Sequence, residues 1–200
     1  MKLKLAVVSS ILFIINLLII YYIHIAFYRI SVVFYAAIAD AFLASVLTGL
    51  VTFWMSYFRP LNNFEKSQLI VIWLLFGYGF AISVPTVIDR SLSFYILEKL
   101  QQRGGGIEQN RFEEVFTKEY FKEARVVDVR LTEQLESGTI NIKDGCVMLT
   151  KKGELIATFG RTFRQNLLSK KRLLLYEYSD DLTNPFRYST DVINYTCRQN

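Results

Sequence analysis

Three long apolar runs dominate the first 88 residues. Residues 5–28 contain no Asp, Glu, Lys or Arg, residues 32–58 contain only Asp40, and residues 67–88 contain none. A helix needs about 20 apolar residues to cross a hydrocarbon core of roughly 30 Å. Backbone amides in lipid must be paired within their own segment, so each run predicts a transmembrane helix. Arg29 separates the first two runs, and Arg59-Pro60 through Lys66 separates the second and third. Links this short make successive helices antiparallel. Tyr21, Tyr22, Phe27, Tyr28, Trp54, Tyr57 and Phe58 fall near the run ends, as an interfacial aromatic belt requires. Lys2 and Lys4 precede the first run, but it is too long for a cleaved leader and no small-x-small site follows it. It reads as a retained anchor.

From Ser91 the pattern turns amphipathic. Leu92, Tyr95, Ile96 and Leu100 keep helical spacing behind a serine cap, and Gly104-Gly105-Gly106 ends that helix. A second helix is expected over about 109–120, with Phe112, Val115 and Phe116 on one face. A third is expected over about 122–136, closed by Ser137-Gly138. The period then changes to that of strands. Thr139–Ile142 and Cys146–Leu149 flank Asp144-Gly145, a strong hairpin signal. Thr150 can cap a last helix whose apolar face is Leu155, Ile156, Phe159, Phe163, Leu167 and Leu168. Leu173–Tyr178 reads as a strand, and the Asp180-Asp181 and Asn184-Pro185 stretch as a loop. The sequence thus predicts a mainly α chain: a three-helix transmembrane bundle over 1–88, a small α+β domain over 89–172, and a tail over 173–200.

Composition sharpens this division. The chain of 200 residues is 52% hydrophobic and 20% charged. Residues 1–88 hold five Lys/Arg and two acids, whereas residues 89–200 hold 18 and 16. The boundary is placed at Asp89. Two cysteines, Cys146 and Cys197, are too few and too far apart for a disulfide scaffold. They read as free thiols, which suits a reducing cytosol. Asn194-Tyr195-Thr196 matches a glycosylation acceptor, a triplet common by chance.

Three spans put the termini on opposite faces. Lys2, Lys4, Arg59 and Lys66 mark one face; Arg29, Arg90, Lys99 and Arg103 mark the other. The count is nearly even. Free cysteines and the apparent domain type then favour a multi-pass inner-membrane protein with its C-terminal domain in the cytoplasm.

The order helix, helix, helix, hairpin, helix over 91–168 resembles a winged helix domain. The stretch Arg130-Leu131, Leu135-Glu136-Ser137-Gly138 and Leu149-Thr150-Lys151-Lys152-Gly153 is similar to MarR-like members. That resemblance implies a third helix that reads a DNA groove and a wing on the backbone. Carried over, it implies contacts from Arg125, Asp128, Arg130, Thr132 and Lys143. The third helix also carries Glu123, Glu133 and Glu136. DNA affinity comes largely from neutralised phosphates, so protein contact is the better use of so mixed a surface.

Asp40 is the charge inside the spans, and an intramembrane carboxylate must face protein or be protonated. Ala36, Asp40, Ala44, Thr48 and Thr52 recur every four residues, with Ser45 and Gly49 beside them. Such a stripe serves helix packing or a site for a partner helix or lipid headgroup. His24, the single histidine, lies near the end of the first span and lacks a second ligand for a metal. Lys151, Lys152, Arg161, Arg164, Lys170, Lys171 and Arg172 face only Glu154 within 151–172. They form a basic patch suited to an anionic leaflet, at roughly 1 kcal/mol per residue, or simply a solvated face.

No nucleophile–base constellation, phosphate loop or dinucleotide fingerprint is present in the sequence. Neither a cofactor nor a metal is expected. The chain reads as a non-catalytic membrane accessory or adaptor protein, with envelope glycan or lipid-linked assembly machinery as a setting. Its expected partners are membrane lipids and a membrane protein or a second copy. The alternative is a membrane-tethered transcription regulator, with nucleic acid the less favoured partner.

Overall fold

The structure, a computed structural model, describes residues 2–187 and Cys197. It is mainly helical. Three long apolar helices come first: α1 (Lys2–Phe27), α2 (Val33–Trp54) and α3 (Asn63–Ala81). A π-helical turn, Ile82–Thr86, extends α3 into α4 (Val87–Arg90), so the third apolar element runs from Asn63 to Arg90. Each of the three is long and apolar enough to cross a membrane. The π turn contains Pro85. Proline supplies no N–H for the helical ladder, and the widened turn absorbs the loss while the helix continues. The third helix begins at Asn63 rather than 67 because Asn62 caps it. The Asn62 side chain accepts from Glu65 N, and the Glu65 carboxylate accepts from Asn62 N, both at 2.8 Å.

Small residues set the packing. On α1 the buried positions are Leu5, Ser9, Phe13 and Leu17, a single stripe with a spacing of four. The central helix α2 buries two adjacent stripes, including Ala36, Ala37, Asp40, Ala41, Ala44, Ser45, Thr48, Gly49 and Thr52. Lipid offers no hydrophobic drive between helices, so close approach of small residues must supply the attraction. Gly77 of α3 meets Ala41 of α2, and Gly49 of α2 meets Ile70 of α3. The core centres on Phe13, Leu17, Ala41, Ala44 and Trp73, with the Phe13 and Trp73 rings stacked at 5.6 Å. The outward faces of α1 and α3 expose Ile11, Ile15, Leu18, Val71, Ile72 and Leu75, as a lipid-facing surface would.

Beyond Arg90, α5 (Leu92–Gln102) is capped by Ser91 and closed by Gly104 and Gly105, both at positive φ. A 3-10 turn (Gln109–Arg111), α6 (Phe112–Glu114), a π segment (Val115–Tyr120) and α7 (Phe121–Glu123) form one broken helical stretch. Arg125 has φ 45° and separates it from α8 (Val126–Glu136). The second helix of the sequence reading is therefore longer than expected and the third shorter.

The hairpin forms as Asp144-Gly145 dictates. Strands β1 (Ile140–Lys143) and β2 (Cys146–Leu149) pair antiparallel with Ile140 opposite Leu149 and Lys143 opposite Cys146. Asp144 and Gly145 have φ of 53° and 74°, the two positive values that a tight hairpin turn demands. The Thr150 hydroxyl then accepts from Gly153 N and opens α9 (Lys151–Asn166). Gly153 is required there, because a Cβ would run into the Thr139 carbonyl oxygen. The expected single strand at 173–178 is instead a second hairpin, β3 (Arg172–Leu174) with β4 (Glu177–Ser179). Leu175 and Tyr176 form its turn at positive φ, with no glycine to announce it.

Cys146 and Cys197 are joined in a disulfide across a sequence separation of 51. This corrects the expectation of free thiols. Sequence separation does not limit pairing; Cα proximity does, and the two Cα atoms lie 5.9 Å apart.

The chain divides into two compact units, Met1–Val127 and Asp128–Asn200. The division lies far from Asp89, where composition changes. Composition marks where the solvent changes from lipid to water; compactness marks where chain contacts thin out. It also falls inside 91–168, and the structure shows no recognisable winged helix, only two two-stranded sheets among the described residues.

Candidate functional site

Polar contacts link all three helices of the bundle. Asn16 donates to the Thr48 hydroxyl at 3.0 Å, and Trp73 Nε1 donates to the Ser10 hydroxyl at 3.1 Å. Ser45 returns its hydroxyl to Ala41 O, and Thr52 to Thr48 O. Hydroxyls on transmembrane helices satisfy themselves against the preceding turn in this way. The small-residue stripe is thus an internal seam. Ala44 and Thr48 are wholly buried within the chain's own bundle, which leaves no room there for a partner helix.

Asp40 differs. Its side chain is 5% exposed, and Oδ1 accepts a hydrogen bond from His24 Nδ1 at 2.7 Å. Oδ2 is buried without a partner. His24 lies three residues before the end of α1. Asp40 lies seven residues into α2, about 10 Å along the axis. The pair therefore sits below the membrane face that carries the 28–32 link. The two residues are 16 apart in sequence on different helices; only the antiparallel α1–α2 hairpin brings them together.

Beside them opens a groove of about 400 Å³ lined by Ile20, Ile23, His24, Tyr28, Ala39, Asp40 and Leu43. Its walls are apolar apart from the histidine, the tyrosine and the carboxylate. A buried acceptor left unsatisfied costs about 1–3 kcal/mol, more when charged. The site is chemically an acceptor that lacks a donor, in a slot open to the lipid side.

The sequence-derived contact residues after the spans are dispersed. Arg125 lies in the link before α8 rather than on the helix. On α8, Arg130 pairs with Glu133 at 2.9 Å, and the Thr132 hydroxyl donates to Asp128 O. No residue of α8 is buried. Lys143 ends β1 beside the hairpin turn. The basic residues of 151–172 do not form one face. Leu155, Phe159 and Phe163 recur every four residues on α9 and are exposed, whereas Arg161 and Arg164 turn away from them at 100° per residue. Lys152 donates to Ser137 O, and Lys170, Lys171 and Arg172 lie past the helix end. The triplet Asn194-Tyr195-Thr196 lies outside the described residues.

One cluster escapes the sequence reading. Lys99 is 4% exposed, and its ammonium contacts Glu119 at 2.6 Å and Glu123 at 2.8 Å. Tyr95 donates to Glu123, and Arg103 donates to Glu119. Hydrogen bonds to the two carboxylates hold the Lys99 ammonium well above the usual lysine range. Bonds from Lys99 first, then from Arg103 or Tyr95, hold Glu119 and Glu123 below the usual carboxylate range. The spacing Tyr95, Lys99, Arg103 on one helix face was visible in the sequence; the facing carboxylates were not. The cluster fastens α5 to the 112–123 stretch, and its Arg103 and Glu119 also line a shallow groove of about 370 Å³ with Arg111 and Glu114.

Among the described residues no three His, Cys, Asp or Glu side chains gather as metal ligands. No family model, curated protein or solved structure matches this chain. Its three apolar helices are those of a multi-pass membrane protein.

Proposed function

We propose that the chain is a non-catalytic accessory protein of a cell membrane, and that it engages a partner's transmembrane helix at the His24–Asp40 groove. The single observation that carries this reading is the buried, unpartnered Asp40 Oδ2 beside an open apolar slot. In lipid such an acceptor is best satisfied by a donor from outside the bundle. A partner helix presenting Lys, Arg or a hydroxyl would supply the donor, and its apolar side chains would cover Ile20, Ile23 and Leu43. Lipid chains cover the remaining outward faces of α1 and α3.

The region after the third span supplies the adaptor's second, aqueous contact, to which Asp128, Arg130 and Thr132 on α8 and, separately, Lys143 at the end of β1 offer polar groups. Duplex DNA is not favoured there. Along α8, Asp128, Glu133 and Glu136 stand against Arg130, which already pairs with Glu133.

The test is copurification from native membranes in a mild detergent. Asp40→Leu should remove the bound partner while the chain keeps its own elution volume. Equal recovery from the parent chain and the Asp40→Leu variant would reduce the pair to a packing contact and end the proposal.

A further inference from the structure

The orientation of the chain follows from its cysteines. Both thiols are consumed in one covalent bond, Cys146 at the start of β2 and Cys197 beyond the second hairpin. Stable disulfides belong to oxidising compartments and are rare where glutathione and thioredoxin keep thiols reduced. Basic residues do not choose a face by themselves. Lys2, Lys4, Arg59 and Lys66 lie on the amino-terminal side, and Arg29, Arg90, Lys99 and Arg103 on the other. With three spans, the residues after Arg90 must lie across the membrane from Lys2.

We infer that residues 91–200 occupy the oxidising, non-cytoplasmic face of the membrane, where Cys146 and Cys197 are joined as a structural clamp. The amino terminus and the 55–62 link remain cytoplasmic. This orientation is opposite to the one that free thiols favour. It leaves the even count of basic residues undisturbed, and it puts Lys2 and Glu65, which pair at 2.7 Å, together on the cytoplasmic side.

The clamp forms by thiol–disulfide exchange with a dithiol oxidoreductase in its disulfide form. One cysteine thiolate attacks the donor's S–S bond, giving a mixed disulfide and releasing one donor thiolate. The second cysteine attacks that mixed disulfide at the sulfur belonging to this chain. The S–S bond between Cys146 and Cys197 forms, and the donor leaves as a dithiol carrying the two electrons and the two protons. Cys197 is exposed and Cys146 partly so, and an enzyme needs that access. The hairpin turn at Asp144-Gly145 holds Cys146 at the first position of β2, directly opposite Lys143. The bond thereby ties Cys197 to the turn end of this hairpin. The bond closes a covalent loop that includes α9 and the second hairpin.

The experiment uses the full-length chain in intact cells. Thiols are blocked with N-ethylmaleimide, the chain is denatured, and newly reduced thiols are counted by mass-tagged maleimide. Two tags should appear only after reduction; two thiols already blocked in the membrane-bound chain would overturn the inference. Orientation is then read in a Cys146→Ser/Cys197→Ser background. Ser31→Cys, in the first link, should react with a membrane-impermeant maleimide from outside. Asn63→Cys, at the other face, should react at least ten-fold less until the membrane is permeabilised. Labelling of Asn63→Cys from outside would overturn it. The Asp40→Leu copurification result is independent of both readouts, so failure here and failure of the adaptor reading are distinguishable.

Discussion

Replacing Gly77 by alanine tests how closely α2 and α3 approach. A Cβ built on Gly77 lies 2.5 Å from the Ala41 methyl, 3.5 Å from Ala41 Cα and 3.8 Å from the Phe13 ring. Carbon atoms in contact sit about 3.5–4.0 Å apart, so the added methyl is roughly 1 Å too close. Ala41 has no rotamer through which to escape; the helices themselves must separate. Overpacking of this kind costs about 1–3 kcal/mol, roughly a 5- to 150-fold shift in the folded-to-unfolded ratio. Two variants sharpen the result. Gly79→Ala meets nothing within 4 Å and should be neutral, or stabilising by up to about 1 kcal/mol from helix propensity. Gly77→Ala/Ala41→Gly moves the methyl from one side of the seam to the other and should recover most of the loss. The expected coupling energy is about 1–2 kcal/mol, within the range for residues in contact. The assay is unfolding of the purified chain in mixed micelles titrated with SDS, followed by helicity. If Gly77→Ala behaves like Gly79→Ala, or the double variant is no better than the single, the seam is not built as described.

Two other predictions concern the region after the spans. Glu119 and Glu123 are held low, so their contribution to stability is complete above the ordinary glutamate value of 4.5 and is lost as pH falls through their lower folded values. Lys99 is held high, so its contribution is complete below 10.5 and is lost as pH rises beyond it. Tyr95 donates to Glu123 and is held high by burial and by that bond, so its contribution is complete below the ordinary tyrosine value of 10.0 and is lost as pH rises above it. Protection of α5 amides in hydrogen exchange should therefore be flat between 4.5 and 10.0 and fall outside that window, and Lys99→Met should weaken both arms; an unchanged profile would refute the cluster's role. Gly153→Ala would drive a methyl into the Thr139 backbone and should cost about 1–3 kcal/mol. Limited proteolysis between 137 and 153 would report it, and cleavage no faster than in the parent chain would contradict the close packing.

Local chemistry was legible in the sequence wherever one segment decides its own structure. The apolar runs had to be helices because lipid leaves no other partner for their amides. Asp144-Gly145 had to turn, and Gly104 and Gly138 had to end their helices, because those backbone angles suit few other residues. The capping pair Asn62 and Glu65 was legible too, though the reading based on hydropathy passed over it. The tertiary structure alone decided which groups meet. Nothing in the chain announces that His24 reaches Asp40, that Asn16 reaches Thr48, or that Lys99 is enclosed by Glu119 and Glu123. Nor does spacing reveal that Cys146 lies against Cys197. The physical reason is common to all four. Periodicity records the face a side chain takes on its own helix or strand, whereas a pair across elements depends on the register between them. That register is set by side chains elsewhere, such as Gly77 against Ala41, and no local pattern encodes it.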